Sequence, residues 1–232
     1  MKGILWNHLL VLIIIVTGEF LFLTSCKKVE NKPKIEYDTV IDIDGNSYKT
    51  VKIGDQWWMA ENLKTNKLND GTVIPLVING KAWNDLTTMG YSNYLSNEKE
   101  YNWYCINSGK LCPTGWHIPT YDESTTLITY LGGEKVAGGK MKAKDPTFCE
   151  NQINIGATNE SGFSGIAYGY RAGFIEGSYG FHTDFGRIAC FWTSTEYDMA
   201  KAYSFEFGCS STSAGHWPRE KNCGLNLRCM KD

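Results

Sequence analysis

Alternating apolar and polar positions predict a β-hairpin near the start of the folded part of the chain. In residues 40–53 the two kinds of side chain alternate on both sides of Asp44-Gly45-Asn46. A period of two is typical of a strand with one buried face, and the Asp-Gly-Asn turn favours positive φ angles. A second turn at residues 54–56 leads into Trp57-Trp58-Met59-Ala60, which we predict to be a buried aromatic strand.

A helical pattern follows in the middle of the chain. Thr120 is a suitable N-cap, and Glu123 stands three residues later, which is the spacing of a capping box. Three apolar positions at helical spacing then predict the buried face of a short helix: Leu127, Ile128 and Leu131. Gly132-Gly133 ends this helix, because glycine readily adopts the backbone conformation found after a last helical turn.

The second half of the chain is rich in glycine and aromatic residues. A glycine-rich region extends over residues 137–186, and two apolar segments, residues 190–196 and 202–207, predict core strands. Residues 224–230 predict the last strand. The chain has 24 Gly, 8 Trp and 13 Tyr and few long periodic segments, which favours an α+β, mainly β domain with long loops.

The first 26 residues have the pattern of an export signal. Lys2 gives a positive start, residues 9–16 form an uninterrupted apolar run, and Leu23-Thr24-Ser25-Cys26 follows with small side chains. This tetrapeptide resembles the lipobox of bacterial lipoproteins, in which the cysteine thiol receives a diacylglycerol. We therefore expect residues 1–25 to be a lipoprotein signal peptide and Cys26 to carry the lipid.

Two other interpretations of this segment compete. An uncleaved transmembrane anchor needs about 20 apolar residues, whereas Gly18-Glu19 interrupts the run early. An ordinary signal peptide with an incidental cysteine agrees less well with residues 27–34, which are polar like a tether. We predict a polar tether over residues 26–36, one folded domain over residues 37–232, and attachment to the cell envelope, at the outer membrane, through the lipid.

Charge and cysteine content limit the possible partners and cofactors. The formal net charge is −2, so the chain has no basic footprint and no nucleic-acid partner is predicted. The chain has eight cysteines, and seven remain when Cys26 is set aside. Because seven is odd, at least one of them is free or bonded to another chain. No Cys-x-x-Cys pair occurs, so no zinc site is predicted. A calcium loop beginning at Asp42 is disfavoured, because Ile53 stands where its bidentate acid belongs.

Several longer motifs occur in order after the tether and cover nearly all of it. They are Asp44-Gly45-Asn46-x-Tyr48-x-Thr50-Val51-x-Ile53-Gly54-x-Gln56-x-Trp58-Met59-Ala60-Glu61-Asn62-Leu63, Asn102-Trp103-Tyr104, Gly109-Lys110-Leu111-Cys112-Pro113-x-Gly115-Trp116-His117-Ile118-Pro119-Thr120, Gly156-Ala157-Thr158-Asn159-Glu160-Ser161-Gly162-Phe163, Trp192-Thr193-Ser194-Thr195-Glu196 and Arg228-Cys229-x-Lys231-Asp232. In these motifs the chain resembles the Fibrobacter succinogenes major paralogous domain family, which is common in lipoproteins of Bacteroidetes. The resemblance indicates the fold and the cellular location more clearly than the function.

That family is similar to proteins of the C-type-lectin-like fold. The resemblance therefore implies two small antiparallel sheets, one or two helices, long glycine- and aromatic-rich loops, and a disulfide from the helix start to the last strand. In this chain the disulfide would be Cys112–Cys229, worth about 4–5 kcal/mol in the chain-entropy model. The extra cysteines fall outside the motifs. Cys209 and Cys223 flank one loop and could pair, Cys190 could pair with either, and their connectivity stays open.

Three kinds of catalytic chemistry compete with structural roles for residues of this chain. Formylglycine-generating enzymes share the lectin-like core and hold copper with a cysteine pair, but here Cys229 is already assigned to Cys112. Glu160 and Glu196 could be the carboxylates of a glycosidase, although both fall inside the motifs, which favours structural roles. His117 stands at the helix entry, where a structural histidine is the better interpretation.

The remaining hypothesis is a binding surface in the loops of residues 168–185 and 209–223. Five side chains there are candidates to stack on a sugar or to bind a peptide: Tyr179, Phe181, His182, His216 and Trp217. Packing beneath their own loops is an equally good account of them. We predict a non-catalytic envelope lipoprotein, without cofactor, that binds glycans or surface proteins or acts as a scaffold. The alternative is an envelope enzyme, either a glycan hydrolase or a redox protein that uses a surplus cysteine.

Overall fold

The computed structural model describes residues 34–93, 98–144, 149, 154–175, 178–179 and 182–232. These residues belong to the compact unit Lys34–Asp232. The predicted signal peptide, the predicted lipidation residue Cys26 and most of the predicted tether lie outside the described residues, as does the candidate residue Phe181.

The described part of the chain forms fourteen strands and four helices, so the predicted mainly β class is confirmed. The strands are β1 (Tyr37–Ile41), β2 (Ser47–Ile53), β3 (Gln56–Met59), β4 (Tyr91–Ser92), β5 (Glu100–Tyr101), β6 (Trp116–His117), β7 (Tyr170–Arg171), β8 (Phe174–Ile175), β9 (Ser178–Tyr179), β10 (His182–Thr183), β11 (Ile188–Glu196), β12 (Lys201–Gly208), β13 (Ala214–Glu220) and β14 (Met230–Lys231). The helices are α1 (Gly80–Asn84), α2 (Trp103–Ile106), α3 (Tyr121–Tyr130) and α4 (Glu134–Met141).

The strands pair in two larger antiparallel sheets and three small ladders. Strands β1, β2, β3, β14 and β6 form one sheet in that order, and β11, β12 and β13 form the other. The pairs β4–β5, β7–β10 and β8–β9 are ladders of two residues on each side. The expected number of elements was too low: the described residues contain five sheets instead of two and four helices instead of one or two. The additional ladders form where the long loops fold back and pair over two residues.

The predicted hairpin is confirmed: β1 pairs with β2, with Ile41 opposite Ser47. The carboxylate of Asp42 closes the turn by accepting hydrogen bonds from the backbone N–H groups of Asp44 and Asn46, each at 2.9 Å. It also accepts the hydroxyl of Tyr48 at 2.5 Å. The Asp42 carboxylate would be the first ligand of a calcium loop, but here it accepts hydrogen bonds from the protein itself. This supports the interpretation of the segment as a hairpin turn.

Helix α3 has the predicted capping box, whereas helix α4 was not predicted. The Thr120 hydroxyl accepts the backbone N–H of Glu123 at 3.2 Å, and the Glu123 carboxylate accepts the backbone N–H of Thr120 at 2.8 Å. Helix α4 contains two glycines, which normally disfavour a helix. At Gly138 the missing side chain allows close packing, since a Cβ there would lie 2.2 Å from the backbone oxygen of Ser213.

The three-stranded sheet separates two apolar clusters. Neighbouring residues in a strand point to opposite faces, and the pattern follows this rule on β11, where Phe191 belongs to one cluster and Trp192 to the other. The first cluster includes Trp58, Phe163, Phe191, Phe205 and Phe207. The second includes Tyr101, Trp103, Cys190, Trp192 and Ala202.

Two expectations about the C-terminal part were wrong. Residues 209–223 were expected to be a variable loop, but they contain strand β13 (Ala214–Glu220). Residues 224–230 were expected to be the last strand, but β14 contains Met230–Lys231 alone. Upstream of β14 the chain makes isolated bridges, for example from Leu225 to Tyr101. The apolar pattern of this segment therefore reflects burial in the core and not membership of a regular strand.

The structure contains two disulfides in its described part. Cys112 is bonded to Cys229, with Cα atoms 5.9 Å apart, which ties the chain before α3 to the residue before β14. Cys209 is bonded to Cys149, so the pairing of Cys209 with Cys223 that the sequence left open does not occur. The reason is spatial: Cys209 and Cys149 belong to the first apolar cluster, whereas Cys223 belongs to the second, across the sheet.

Candidate functional site

A cleft of about 680 Å³ opens beside the three-stranded sheet. Residues from two segments, 184–188 and 206–213, line it together with Trp217 and Arg219. Its volume falls within the usual range for small-molecule sites, about 300–1,000 Å³. The same face of the sheet carries the side chains of Glu206, Trp217 and Arg219. The register of β12 and β13 shows this, because residues opposite each other share a face. Glu206 stands opposite Gly215, Trp217 opposite Ser204 and Arg219 opposite Ala202.

An ion pair forms the floor of the cleft. The guanidinium of Arg219 donates from Nε and Nη2 to the two carboxylate oxygens of Glu206, at 2.7 and 2.6 Å. Nη1 donates to the hydroxyl of Tyr170 at 2.9 Å, and the Ser204 hydroxyl donates to Glu206 at 2.6 Å. Burial alone would lower the pKa of Arg219, but the hydrogen bond and charge of Glu206 raise it instead. The side chains of the floor are therefore bonded to one another and their charges are balanced.

An exposed indole ring lies above this floor. Trp217 is 45% exposed although it belongs to a strand of the sheet. The ring packs over Gly215, where a Cβ would lie 3.1 Å from the ring atom Cη2. The absence of a side chain at Gly215 thus allows the indole to lie close against the backbone. An aromatic ring that is both exposed and fixed in position is well suited to bind a ligand, because little side-chain freedom is lost on binding.

Two oppositely charged residues stand at the rim. The backbone of Asp184 has φ +57°, a left-handed conformation that aspartate tolerates better than most residues. Its carbonyl oxygen accepts the backbone N–H groups of Arg187 at 2.9 Å and Ile188 at 3.2 Å, which closes a tight turn. The side chain of Asp184 is half-buried and that of Arg187 is exposed. This turn places one acceptor and one donor group beside the cleft.

Three anchors hold the loop of residues 208–213 that forms one wall. The buried ammonium of Lys142 donates to the backbone oxygens of Ile155 at 2.6 Å, Ser211 at 2.8 Å and Gly208 at 3.1 Å. Burial lowers the pKa of Lys142 to about 8. The disulfide at Cys209 and the packing of Gly138 against the backbone of Ser213 fix the same loop.

His216 lies on the opposite face of the sheet from Trp217, since it stands opposite Phe205 in the register. Its Nε2 is 2.7 Å from the hydroxyl of Ser124, and its ring centroid is 4.1 Å from that of Tyr121. Burial lowers the pKa of His216, against the opposing charge of Glu134. Ser124 is completely buried, so this Ser–His contact is inaccessible to a substrate and attaches β13 to helix α3.

His182 is also placed away from the solvent. It is buried, and its Nε2 is 2.5 Å from a carboxylate oxygen of Glu100. Burial raises the pKa of Glu100, while the hydrogen bond with His182 and the charge of Arg171 oppose that rise. Tyr179 lies in β9. Of the candidate aromatic and histidine residues whose side chains the structure describes, Trp217 lines the cleft and His182 and His216 do not.

Reasoning from the sequence missed most of the residues around Trp217. Asp184, Arg187, Glu206 and Arg219 were not among the candidates. One signal could have located the floor: Glu206 interrupts the apolar segment of residues 202–207, and a charged side chain in a buried strand requires a partner.

The free thiols are poorly suited to redox or nucleophilic work. Cys105, Cys190 and Cys223 are free and buried. Burial raises the pKa of Cys105 to about 12 and that of Cys223 to about 11, and it raises the pKa of Cys190 well above its usual value. Because the thiolate is the reactive form, these cysteines are held in their unreactive form at neutral pH.

The other residues considered for catalysis have structural partners. The Glu160 carboxylate pairs with the Lys140 ammonium at 3.0 Å, and that of Glu196 pairs with Lys221 at 2.9 Å. Neither glutamate lines the cleft. The ring of His117 lies between carboxylates from helix α3 and the chain end, 3.1 Å from Glu123 and 2.7 Å from Asp232.

No metal site or membrane span was found in the part of the chain that the structure describes. No three His, Cys, Asp or Glu side chains come together there in a way that could hold a metal ion. None of the helices among these residues has the length and apolar character to cross a bilayer.

Comparison with known proteins gives a family relationship. The family model of the Fibrobacter succinogenes major domain matches residues 51–231. No curated protein and no solved structure matches the chain. The match runs from the last three residues of β2 to the end of β14 and includes every described residue that lines the cleft.

Proposed function

We propose that this chain, which belongs to the Fibrobacter succinogenes major domain family, is a non-catalytic, lipid-anchored protein of the cell envelope that binds a glycan or a surface protein in the cleft beside Trp217. The observation that carries the proposal is the exposed indole, held over Gly215 above the Glu206–Arg219 pair. Exposed tryptophan and arginine side chains are enriched where proteins bind their partners.

Binding is a better account of this cleft than catalysis. The Glu206 carboxylate accepts hydrogen bonds from Arg219 and Ser204. Both oxygens of this carboxylate are therefore engaged by partners within the sheet. The Asp184 and Arg187 side chains at the rim are free to contact a ligand. The C-type-lectin-like fold belongs to the same proposal and agrees with the small antiparallel sheets and long loops.

Ligand binding is tested with the full chain immobilised and offered to glycans and envelope proteins. A Trp217→Ala variant should lose retention of the ligand. Tyr197→Ala is the matched control, because Tyr197 is also an exposed aromatic residue, 52% exposed, and does not line the cleft. Equal retention by the wild-type chain and the Trp217→Ala variant would remove the cleft from the proposal.

The envelope location is tested separately through Cys26. The proposal expects the wild-type chain to partition with membranes and a Cys26→Ser variant to be released in soluble form. Such release requires that the lipid provides the main membrane attachment. A Cys26→Ser variant that still partitions with membranes would contradict the lipid anchor and leave the proposal on ligand binding untouched.

A further inference from the structure

We infer that the ligand of the cleft is a neutral saccharide, with one sugar ring stacked on the indole of Trp217 and its hydroxyl groups bonded to Asp184 and Arg187. This inference rests on the proposed binding function and names the ligand class. Its first support is the charge of the lining. The lining contains two acidic and two basic side chains, and Glu206 and Arg219 compensate each other directly. A strongly charged ligand such as a nucleotide or a sulfated glycan gains no net attraction from such a site.

The second support is the geometry of the indole. Its distal ring atoms lie against the backbone of Gly215, while 45% of the residue's surface is exposed to the solvent. The face of an aromatic ring carries partial negative charge. The C–H groups on one face of a sugar ring carry partial positive charge and present a flat apolar surface. The two surfaces are therefore complementary in shape and in charge.

The third support is the hydrogen-bonding character of the rim. A carboxylate such as that of Asp184 accepts hydrogen bonds, and a guanidinium such as that of Arg187 donates them. A hydroxyl group does both. Neighbouring hydroxyls of one sugar can thus donate to Asp184 and accept from Arg187, and both charged groups are satisfied although the ligand is neutral.

An extended peptide fits the site less well. Strand β13 is an edge of its sheet, and peptides often bind an open edge by adding a strand. Pro218 stands within β13 and has no backbone N–H to donate to an added strand. A proline in an edge strand is a common way in which proteins prevent such pairing.

The inference is tested by calorimetric titration of the full chain in a detergent without a sugar headgroup. The neutral probes are tetrasaccharides of glucose, xylose, mannose and N-acetylglucosamine. The charged probes are a sulfated oligosaccharide and an acidic peptide. We expect at least one neutral probe to bind, with a Kd that changes less than twofold between low and high salt. Charge-driven binding would weaken strongly over the same range.

Three variants connect that binding to the cleft. Trp217→Ala should weaken binding of the neutral probe at least tenfold. Asp184→Asn and Gly215→Ala should each weaken its binding severalfold. In Gly215→Ala the reason is that the added Cβ would displace the indole. Tyr197→Ala should leave the Kd unchanged, and circular dichroism should confirm folding of each variant. Binding of the charged probes alone, with a loss on Trp217→Ala, would overturn the assignment of a neutral saccharide and keep the binding function. No binding by any neutral probe, or neutral binding that Trp217→Ala leaves intact, would also overturn the inference.

Discussion

The guanidinium of Arg219 holds the carboxylate of Glu206 through two parallel hydrogen bonds, at 2.7 and 2.6 Å, on the face of the sheet that also carries Trp217. The Glu206 side chain is 4% exposed and that of Arg219 is 21% exposed. A pair of this kind does more to fix geometry than to increase stability, because removing two charges from water offsets most of their attraction. Removing one partner is different, since it leaves a buried charge uncompensated.

The first prediction concerns that pair. Arg219→Met should lower the free energy of unfolding by about 3 kcal/mol, the lower end of the range for a broken buried pair, because Arg219 is partly exposed. A double variant, Arg219→Met with Glu206→Gln, should recover a large part of the loss, since no buried charge remains. Urea unfolding of the three chains measures both effects. A double variant less stable than Arg219→Met alone would contradict this account.

The second prediction concerns the three free thiols in the part of the chain that the structure describes. In a Cys26→Ser chain, an aromatic disulfide reagent should find no fast-reacting thiol under native conditions, because Cys105, Cys190 and Cys223 are buried and their pKa values are raised. After denaturation without reductant, three thiols should react. A cysteine that reacts within seconds in the native chain would revive the redox hypothesis.

The hairpin and helix α3 could be predicted because their signals are local. Asp42 closes its turn with bonds to residues no more than six positions away, and Thr120 and Glu123 cap the helix three residues apart. Such contacts form within one segment, so the sequence records them directly. The cleft is different, because its two lining segments are separate in the chain and adjoin through the pairing of β11 with β12, where Ile188 stands opposite Gly208.

His216 and Trp217 illustrate why the site itself was only partly predicted. They are adjacent in sequence and both aromatic, so composition gives them the same status. Their roles separate when the register of β13 turns His216 toward helix α3 and Trp217 toward the cleft. The sequence of β13 has a weak propensity to form a strand, since Gly215 and Pro218 are both unfavourable in a strand interior. Its pairing with β12, and hence the direction of each side chain, is decided by tertiary packing.

The third prediction is a pH dependence due to Lys142. Burial lowers its pKa to about 8 from the ordinary value of 10.5, so between these pH values the unfolded chain binds more protons than the folded one. Stability from this residue should therefore rise as the pH rises from about 8 to 10.5, and should be lost as the pH falls through 8.

A Lys142→Met variant isolates that effect from other titrating groups. Its unfolding free energy should be lower at every pH, because three backbone oxygens lose their donor. The difference from the wild-type chain should widen between pH 7.5 and 9.5, as measured by urea unfolding at each pH. A difference that stays constant over this range would show that Lys142 keeps an ordinary pKa in the fold.

The last prediction sets helix propensity against close packing at Gly138. In an ordinary helix interior, Gly→Ala is stabilising by about 1 kcal/mol. At this position a Cβ would lie 2.2 Å from the backbone oxygen and 2.7 Å from the backbone carbon of Ser213. Backbone atoms cannot rotate away as a flexible side chain can, so either helix α4 or the cleft wall must shift. Overpacking of this kind costs about 1–3 kcal/mol, which equals or exceeds the gain in propensity.

We therefore expect Gly138→Ala to lower the Tm and the free energy of unfolding. Val136→Ala in the same helix is the matched control, because Val136 is exposed and alanine has the higher helix propensity, so stability should stay equal or rise slightly. The displaced atoms belong to the loop of residues 208–213, which lines the cleft. Gly138→Ala should therefore also lower the affinity of the cleft for the ligand that the wild-type chain binds. A Gly138→Ala variant that is more stable than the wild-type chain would show that helix α4 and this loop are not packed as tightly as their backbone atoms indicate.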